Sequence, residues 1–260
     1  MNHNLSITPW GVYSVWRRHF KVYQNTWLVN FLPPMLEPLI YLTAFGLGLT
    51  PLVGAAIYAD KNVSYIQFIA PGMIAIAVLS QSYFEGAYGS FIRLKFQKIW
   101  QALLTAPLTF TEVFLGDLLW CATRGLISGV ITGVVAVSFG LYSVSNLLLC
   151  LPLLILGSIL FASLGVLTAG LVRSVDEMNV PFFVFVVPMY NICGTFFPRE
   201  VLPPILRNIA RVLPLSPLVD LLRWPLEYPK YWLLELVWMI VLLIASIVIA
   251  WKRIYPQLFR

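Results

Sequence analysis

Apolar residues in this chain come mostly in long unbroken runs. Predominantly apolar stretches occupy roughly 26–49, 65–87, 110–139, 146–171, 178–196 and 231–251, each near the ~20 residues that carry a helix across hydrocarbon. The pattern predicts an all-α integral membrane protein with six transmembrane helices, folded as one unit over residues 1–260. Three other segments break the pattern, each differently.

The first is "RLKFQKIWQALLTAP", between the second and third apolar runs. Phe96, Ile99, Trp100, Leu103 and Leu104 fall at i, i+3, i+4, i+7 and i+8, with Lys95, Gln97, Lys98 and Gln101 elsewhere around the axis. Pro107 ends the pattern, because its ring clashes inside a continuing helix. The spacing predicts one amphipathic helix of about four turns over 93–106. It either lies on the membrane surface or seats its apolar face on a partner.

The second segment precedes the first run. Thr8 is placed to cap a helix with Pro9 at its first position, and Tyr13, Trp16, Phe20 and Tyr23 follow at helical spacing beside Arg17, Arg18 and Lys21. An interface helix over 8–24 is predicted. The third, 197–228, is too rich in proline and charge for a crossing and too apolar for a solvated loop. Two short external re-entrant helices fit, one entered at Pro203 and Pro204, the other capped by Ser216 before Pro217.

Composition agrees with the pattern. Hydrophobic residues make up 60% of the 260 positions and charged residues 11%, against about a quarter charged in soluble domains. The net charge of +6 does not imply nucleic acid, because the basic residues flank apolar runs. Arg17, Arg18, Lys21, Arg93, Lys95, Lys98, Arg173, Lys252, Arg253 and Arg260 gather on one side of the six runs. By the positive-inside rule that side is cytoplasmic, with both termini on it. No signal-peptide pattern opens the chain.

Little catalytic chemistry is in evidence along the spans. His3 and His19 both precede the first run, and Asp117 is the one aspartate well inside a span. Neither a Ser/His dyad, a His-based metal site nor an aspartyl dyad is assembled. Cys121, Cys150 and Cys193 lack CxxC spacing and read as small core residues. None of the lysines completes a P-loop, so no ATP site or other cofactor is expected in this chain. Glu37, Glu85, Asp117 and Arg124 are charges within apolar spans, which are costly and therefore paired or functional. Glu37 stands among Pro33, Pro34 and Pro38; it satisfies backbone freed by a break, pairs with Arg124, or lines a path. Asp117 and Arg124 lie about 10 Å apart along one helix, so each needs a partner elsewhere. Gly125, Gly129 and Gly133 form a small-residue face for close packing, within the subunit or between subunits.

The order of these parts resembles the permease subunits of type-two ABC exporters, especially the NodJ-like branch that exports nodulation lipo-oligosaccharides. The resemblance covers the whole chain. Its carriers are "FLPPMLEPLIYLTAFGLGL", the block from "YIQFIAPGM" through "FEG" to "APLTFTEVFLGDLL", and "GTFFPREVLPPILRNIARVLPLSPLVDLLR". It implies that 93–106 is a coupling helix docking Phe96, Ile99, Trp100, Leu103 and Leu104 into a separate ATPase, which binds ATP and Mg. It also implies two permease copies around a pathway, two ATPase copies, and external gate helices whose Arg199, Arg207, Arg211 and Arg223 meet an anionic head group or lipid phosphate. The expected activity is export of an amphipathic, lipid-linked glycan across the bacterial inner membrane, with Tyr41, Tyr83, Tyr88 and Tyr190 as candidate sugar contacts. The same helices suit export of a hydrophobic drug. An ion-coupled carrier using Glu37 and Asp117, and a scaffold without cargo, are the readings from other classes.

Overall fold

The structure, a computed structural model, describes residues 7–53, 55–58, 61–226 and 229–259. Helix α1 (Pro9–Asn25) starts where Thr8 accepts the Gly11 N–H. Helix α2 (Trp27–Thr43) passes through a π-helical turn (Ala44–Leu49) into the short α3 (Thr50–Val53). An antiparallel ribbon of β1 (Ala55–Tyr58) and β2 (Lys61–Ser64) follows, pairing Ala55 with Ser64 and Tyr58 with Lys61. This small hairpin departs from the all-helical expectation; its alternating, partly β-branched residues lie outside the apolar runs.

Helix α4 (Tyr65–Phe84) enters π-helical turns at Glu85–Gly89 and Ile92–Phe96. Then come α5 (Ile99–Leu104), α6 (Phe110–Ser138) and α7 (Val144–Leu171). A broken segment carries α8 (Asn179–Pro181), a π turn (Phe182–Val186) and α9 (Val187–Ile192). The proline-rich stretch that follows holds α10 (Pro204–Val212) and α11 (Leu215–Leu222), and α12 (Trp232–Leu258) comes after it.

Among the described residues, four helical segments are long and apolar enough to cross a membrane: Tyr65–Phe96, Phe110–Ser138, Val144–Leu171 and Trp232–Leu258. The expected first and fifth crossings are not among these four. The first is helical from Trp27 to Val53 but includes Pro33, Pro34, Glu37 and Pro38, and the fifth changes helix type around Pro181 and Val187. Helix α4 is the central post, packed on α6 and α7, whereas α12 lies on the outside of α7. The small-residue face of α6 packs inside this chain: Gly125 against Ser82 and Val78, Gly129 against Val78, Gly133 against Leu147. Any side chain at Gly125 would overlap the Ser82 hydroxyl.

Two sequence expectations are corrected. Residues 93–106 are not one amphipathic helix. Arg93 and Phe96 end the extended α4, Lys98 adopts left-handed backbone (φ 53°), and α5 starts afresh at Ile99. The break places Phe96 and Trp100 in different surroundings. Ser216 does not cap α11 either; it lies inside that helix and donates to the Ala210 carbonyl at 2.5 Å, tying α11 to α10.

Candidate functional site

The chemistry of the molecule concentrates where α4 turns into α5. In an α-helix, residues eight apart stand about two turns apart on one face. The π-helical turns at Glu85–Gly89 and Ile92–Phe96, with their i→i+5 winding, fit more residues into each turn and bring Glu85 and Arg93 together, with Nη1 of Arg93 2.6 Å from Oε1 of Glu85. From α6, Asp117 meets the same guanidinium: Nε lies 2.7 Å from Oδ1 and Nη2 donates to Oδ2 at 3.3 Å. The Ser90 hydroxyl donates to Oδ2 of Asp117 at 2.5 Å. From α1, Nε2 of His19 stands 3.3 Å from Oδ1 of Asp117. Glu85 also accepts from the Trp120 indole at 3.0 Å and faces Nε of Arg124 at 3.8 Å. Arg124 in turn reaches Gln81 on α4 at 3.5 Å and lies over the Tyr23 ring.

Two carboxylates and two guanidiniums thus share a buried network that bolts α1, α4 and α6 together. Burying one such charge without its partners costs several kcal/mol, so the network behaves as a unit. Asp117 and Arg124 each take their partners from other helices, while the side chain of Glu37 lies outside the described residues. Arg93, counted in the sequence only among the basic residues of one side, is buried, with the π turn aiming it inward toward Asp117. His19 is buried as well, although it precedes the first apolar run. Among the described residues no group of His, Cys, Asp and Glu is arranged to hold a metal.

A second junction fixes α1. Glu112 closes a capping box with Thr109 at the start of α6, accepting from the Thr109 N–H at 2.7 Å and hydroxyl at 2.9 Å. Its other oxygen accepts from the Thr8 N–H at 2.8 Å and hydroxyl at 2.5 Å. One carboxylate therefore serves two helix starts. Gly11 is needed opposite it, since a Cβ there would collide with that carboxylate. Val15 and His19 continue the buried face of α1, and the Trp16 indole donates to Thr123 on α6 at 2.9 Å. The aromatic stripe of α1 thus sits on protein along one edge and leaves Tyr13 exposed.

The five expected docking residues divide. Trp100 is 1% exposed and packs against Phe110 and Phe114 of α6, so it belongs to the core. Ile99, Leu103 and Leu104 are half-buried. Phe96 is 66% exposed, beside exposed Lys95, Gln97 and Lys98. The elbow presents one aromatic ring in a polar, basic setting, with the buried Phe91 ring edge-on to it at 5.8 Å between centroids.

The external arginines divide too. Arg199 pairs with Asp220, and Arg207 donates to the backbone carbonyls of Glu200 and Leu202. Arg223 is buried over the Phe68 ring and donates to the carbonyls of Phe68 (3.2 Å), Gly194 (2.6 Å) and Thr195 (3.4 Å). It clamps α11 to the start of α4 and cannot meet a head group in this conformation. Arg211 is exposed. Between α2, α4 and α9 a cavity of about 300 Å³ is lined by Tyr41, Met73, Ile76, Tyr190, Asn191 and Phe196. The Tyr190 hydroxyl is tied to Ser80 at 2.9 Å. Tyr83 is buried against Thr168 at 3.1 Å and Tyr88 is half-buried, so neither lines that cavity.

Residues 11–226 match the family described as ABC-2 type transporter. The chain belongs to that family. Nodulation protein J of Rhizobium meliloti (strain 1021) is 34% identical over 219 residues, covering 84% of this chain and 82% of that protein. Nodulation protein J of Rhizobium leguminosarum bv. trifolii is 35% identical over 210 residues, 81% of this chain and 79% of the relative. The inner membrane transport permease YadH of Escherichia coli (strain K12) is 27% identical over 212 residues, with 81% and 80% covered. This ABC-2 chain is accordingly a multi-pass membrane permease, a transport subunit and not itself the ATPase. The matched region takes in α1, the elbow and both external helices.

Proposed function

We propose that this permease is the transmembrane half of an ATP-driven exporter, and that the α4–α5 elbow is where it meets a separate ATPase. The observation that carries this is the exposed Phe96, framed by Lys95, Gln97 and Lys98, packed against the buried Phe91 and three residues after Arg93 of the buried network. A rigidly held aromatic with cationic neighbours suits a groove with an acidic rim. In this reading 93–106 is the coupling segment, Phe96 leads it with Ile99, Leu103 and Leu104 at its edge, and 8–24 lies along the interface. The whole of 1–260 forms one transmembrane unit of six crossings in the bacterial inner membrane. Both termini are cytoplasmic, because the basic residues of α1, the elbow, Arg173 and the end of α12 share one side.

The assembly holds two permease copies and two ATPase copies, the latter binding ATP and Mg. Helix α10 exposes Ile205, Ile209 and Val212, a face for lipid or for the second copy, and of Arg199, Arg207, Arg211 and Arg223 it is Arg211 that is exposed and able to meet an anionic cargo group. The cargo is an amphipathic, lipid-linked glycan. The cavity of Tyr41, Tyr190 and Asn191 offers hydroxyl and amide groups beside Met73 and Phe196, a mixture suited to a sugar next to an apolar chain. Ion coupling through Asp117 is disfavoured by its pairing with Arg93.

The test is purification of the tagged chain from native membranes, with mass spectrometry of every co-purifying chain. Recovery of a P-loop ATPase, lost on Phe96→Asp while the permease keeps its thermal stability, is expected. Absence of any ATPase after gentle crosslinking, with transport surviving ATP depletion, would overturn the reading.

A further inference from the structure

A second concavity adjoins the elbow through Lys95 and lies between the ends of α4, α7 and α12. It has a volume of about 440 Å³, and its lining includes Lys95, Arg173, Lys252 and Arg253, with Gln257 at its centre. Four basic side chains converge from three elements, and no carboxylate is among the lining residues. Among the described residues none of the four takes part in an ion pair. Simple orientation signals need only lie on one side of the membrane; they need not face one hollow.

The hollow is built. Gly170, near the end of α7, lets Ile254 of α12 approach so closely that a Cβ would stand 2.8 Å from its Cγ1 and 3.6 Å from the Arg253 Cβ. That contact sets Arg253 beside the end of α7. Gln257 donates to the carbonyls of Gly170 at 2.7 Å and Arg253 at 2.9 Å, and accepts from Lys95 at 2.5 Å. It thereby occupies carbonyls at two helix ends that would repel an anion, and holds the Lys95 ammonium over the hollow with donors to spare.

We infer that this hollow binds the phosphate head group of an anionic phospholipid. Charge complementarity selects an anion, and its position selects a lipid. Trp251 stacks on Tyr255 with ring centroids 5.1 Å apart, an aromatic pair of the kind that marks head-group level. One turn along α12 from Lys252 and Arg253, Val248 and Ile249 are exposed, continuing a face that includes Val241 and Ile244. A head group in the hollow leaves its acyl chains lying along that face. The inference does not depend on the proposed cargo or ATPase.

Native mass spectrometry of the purified full-length chain, titrated with phosphatidylglycerol, phosphatidylcholine or inorganic phosphate, tests it. Phosphatidylglycerol is expected to bind at least about tenfold more tightly than phosphatidylcholine, with each single change Lys252→Gln or Arg173→Gln weakening it about fivefold. The combined Lys95→Gln, Arg173→Gln, Lys252→Gln and Arg253→Gln variant should lose the preference, and Arg173→Lys with Arg253→Lys should keep it. Equal binding of the two lipids, or an unchanged preference in both single variants, would overturn the inference. So would inorganic phosphate binding as tightly as phosphatidylglycerol, which would make the hollow a free-anion site. Loss of a co-purifying partner in the singles without change in lipid binding would assign the hollow to that partner.

Discussion

The two ends of the helical bundle handle charge in opposite ways. At the elbow, Glu85, Arg93, Asp117 and Arg124 neutralise one another across α4 and α6, with His19 of α1 against Asp117. At the outer end, Arg223 and Arg207 are satisfied largely by backbone carbonyls, and Arg199 by the single carboxylate of Asp220. The first arrangement ties separate helices into one body; the second clamps the short α11 onto the start of α4. A force applied at Phe96 is therefore delivered to α1, α4 and α6 together, whereas at the other end α11 is held chiefly by apolar burial against α4, α7 and α12, and α10 lies more exposed beside it.

The sharpest way to break the comparison is to remove one charge from the inner network. Asp117→Ala leaves the Arg93 guanidinium buried without its main partner, and a stability loss of about 3–5 kcal/mol is expected in thermal unfolding of the detergent-purified chain. Arg93→Met combined with Asp117→Leu should recover most of that loss, because the pair is removed together and Glu85 keeps Arg124 at 3.8 Å and the Trp120 indole at 3.0 Å. If Asp117→Ala proves mild, the network is not a lock. Trp100→Ala comes next: deleting a fully buried indole packed on Phe110 and Phe114 should cost about 3–5 kcal/mol, toward the lower end if α5 can settle into the gap. At the outer end Arg223→Ala should cost about 1.5–3 kcal/mol, the range for a charged donor on neutral carbonyls. Smallest are Phe96→Ala and Arg211→Ala, each within about 0.5 kcal/mol by the same melting measurement, since both side chains are exposed. Phe96→Ala should nevertheless weaken recovery of the ATPase, while Arg211→Ala should leave it unchanged.

Much of this layout was legible in the chain. Long apolar runs mark α4, α6, α7 and α12, because a helix in hydrocarbon needs little more than length and apolar content. Thr8 with Pro9, and Pro203 with Pro204, mark helix starts through backbone chemistry that does not depend on packing. What failed was the elbow. A continuous helical reading of 93–106 puts Phe96 and Trp100 on one face, but the π turns and the left-handed Lys98 are imposed by the pairing of Arg93 with Glu85 and Asp117. The contact of Arg93 with Asp117 joins residues 24 apart, which a local period cannot register. Some signals were present and unread. The Thr-x-x-Glu of Thr109 and Glu112 is a capping box, and a single helix running from 65 to 96 already stacks Arg93 two turns from Glu85. Glu112 bridging to Thr8 had no sequence signal, because it depends on how α1 lies against α6.

The coupling role is tested most directly by placing a photocrosslinking amino acid at position 96 and, as a control, at position 211, then irradiating native membranes. Crosslinking of position 96 to a P-loop ATPase, absent at position 211, is the expected result. Crosslinks from position 96 to lipid alone, with the ATPase captured from another surface or not at all, would contradict it.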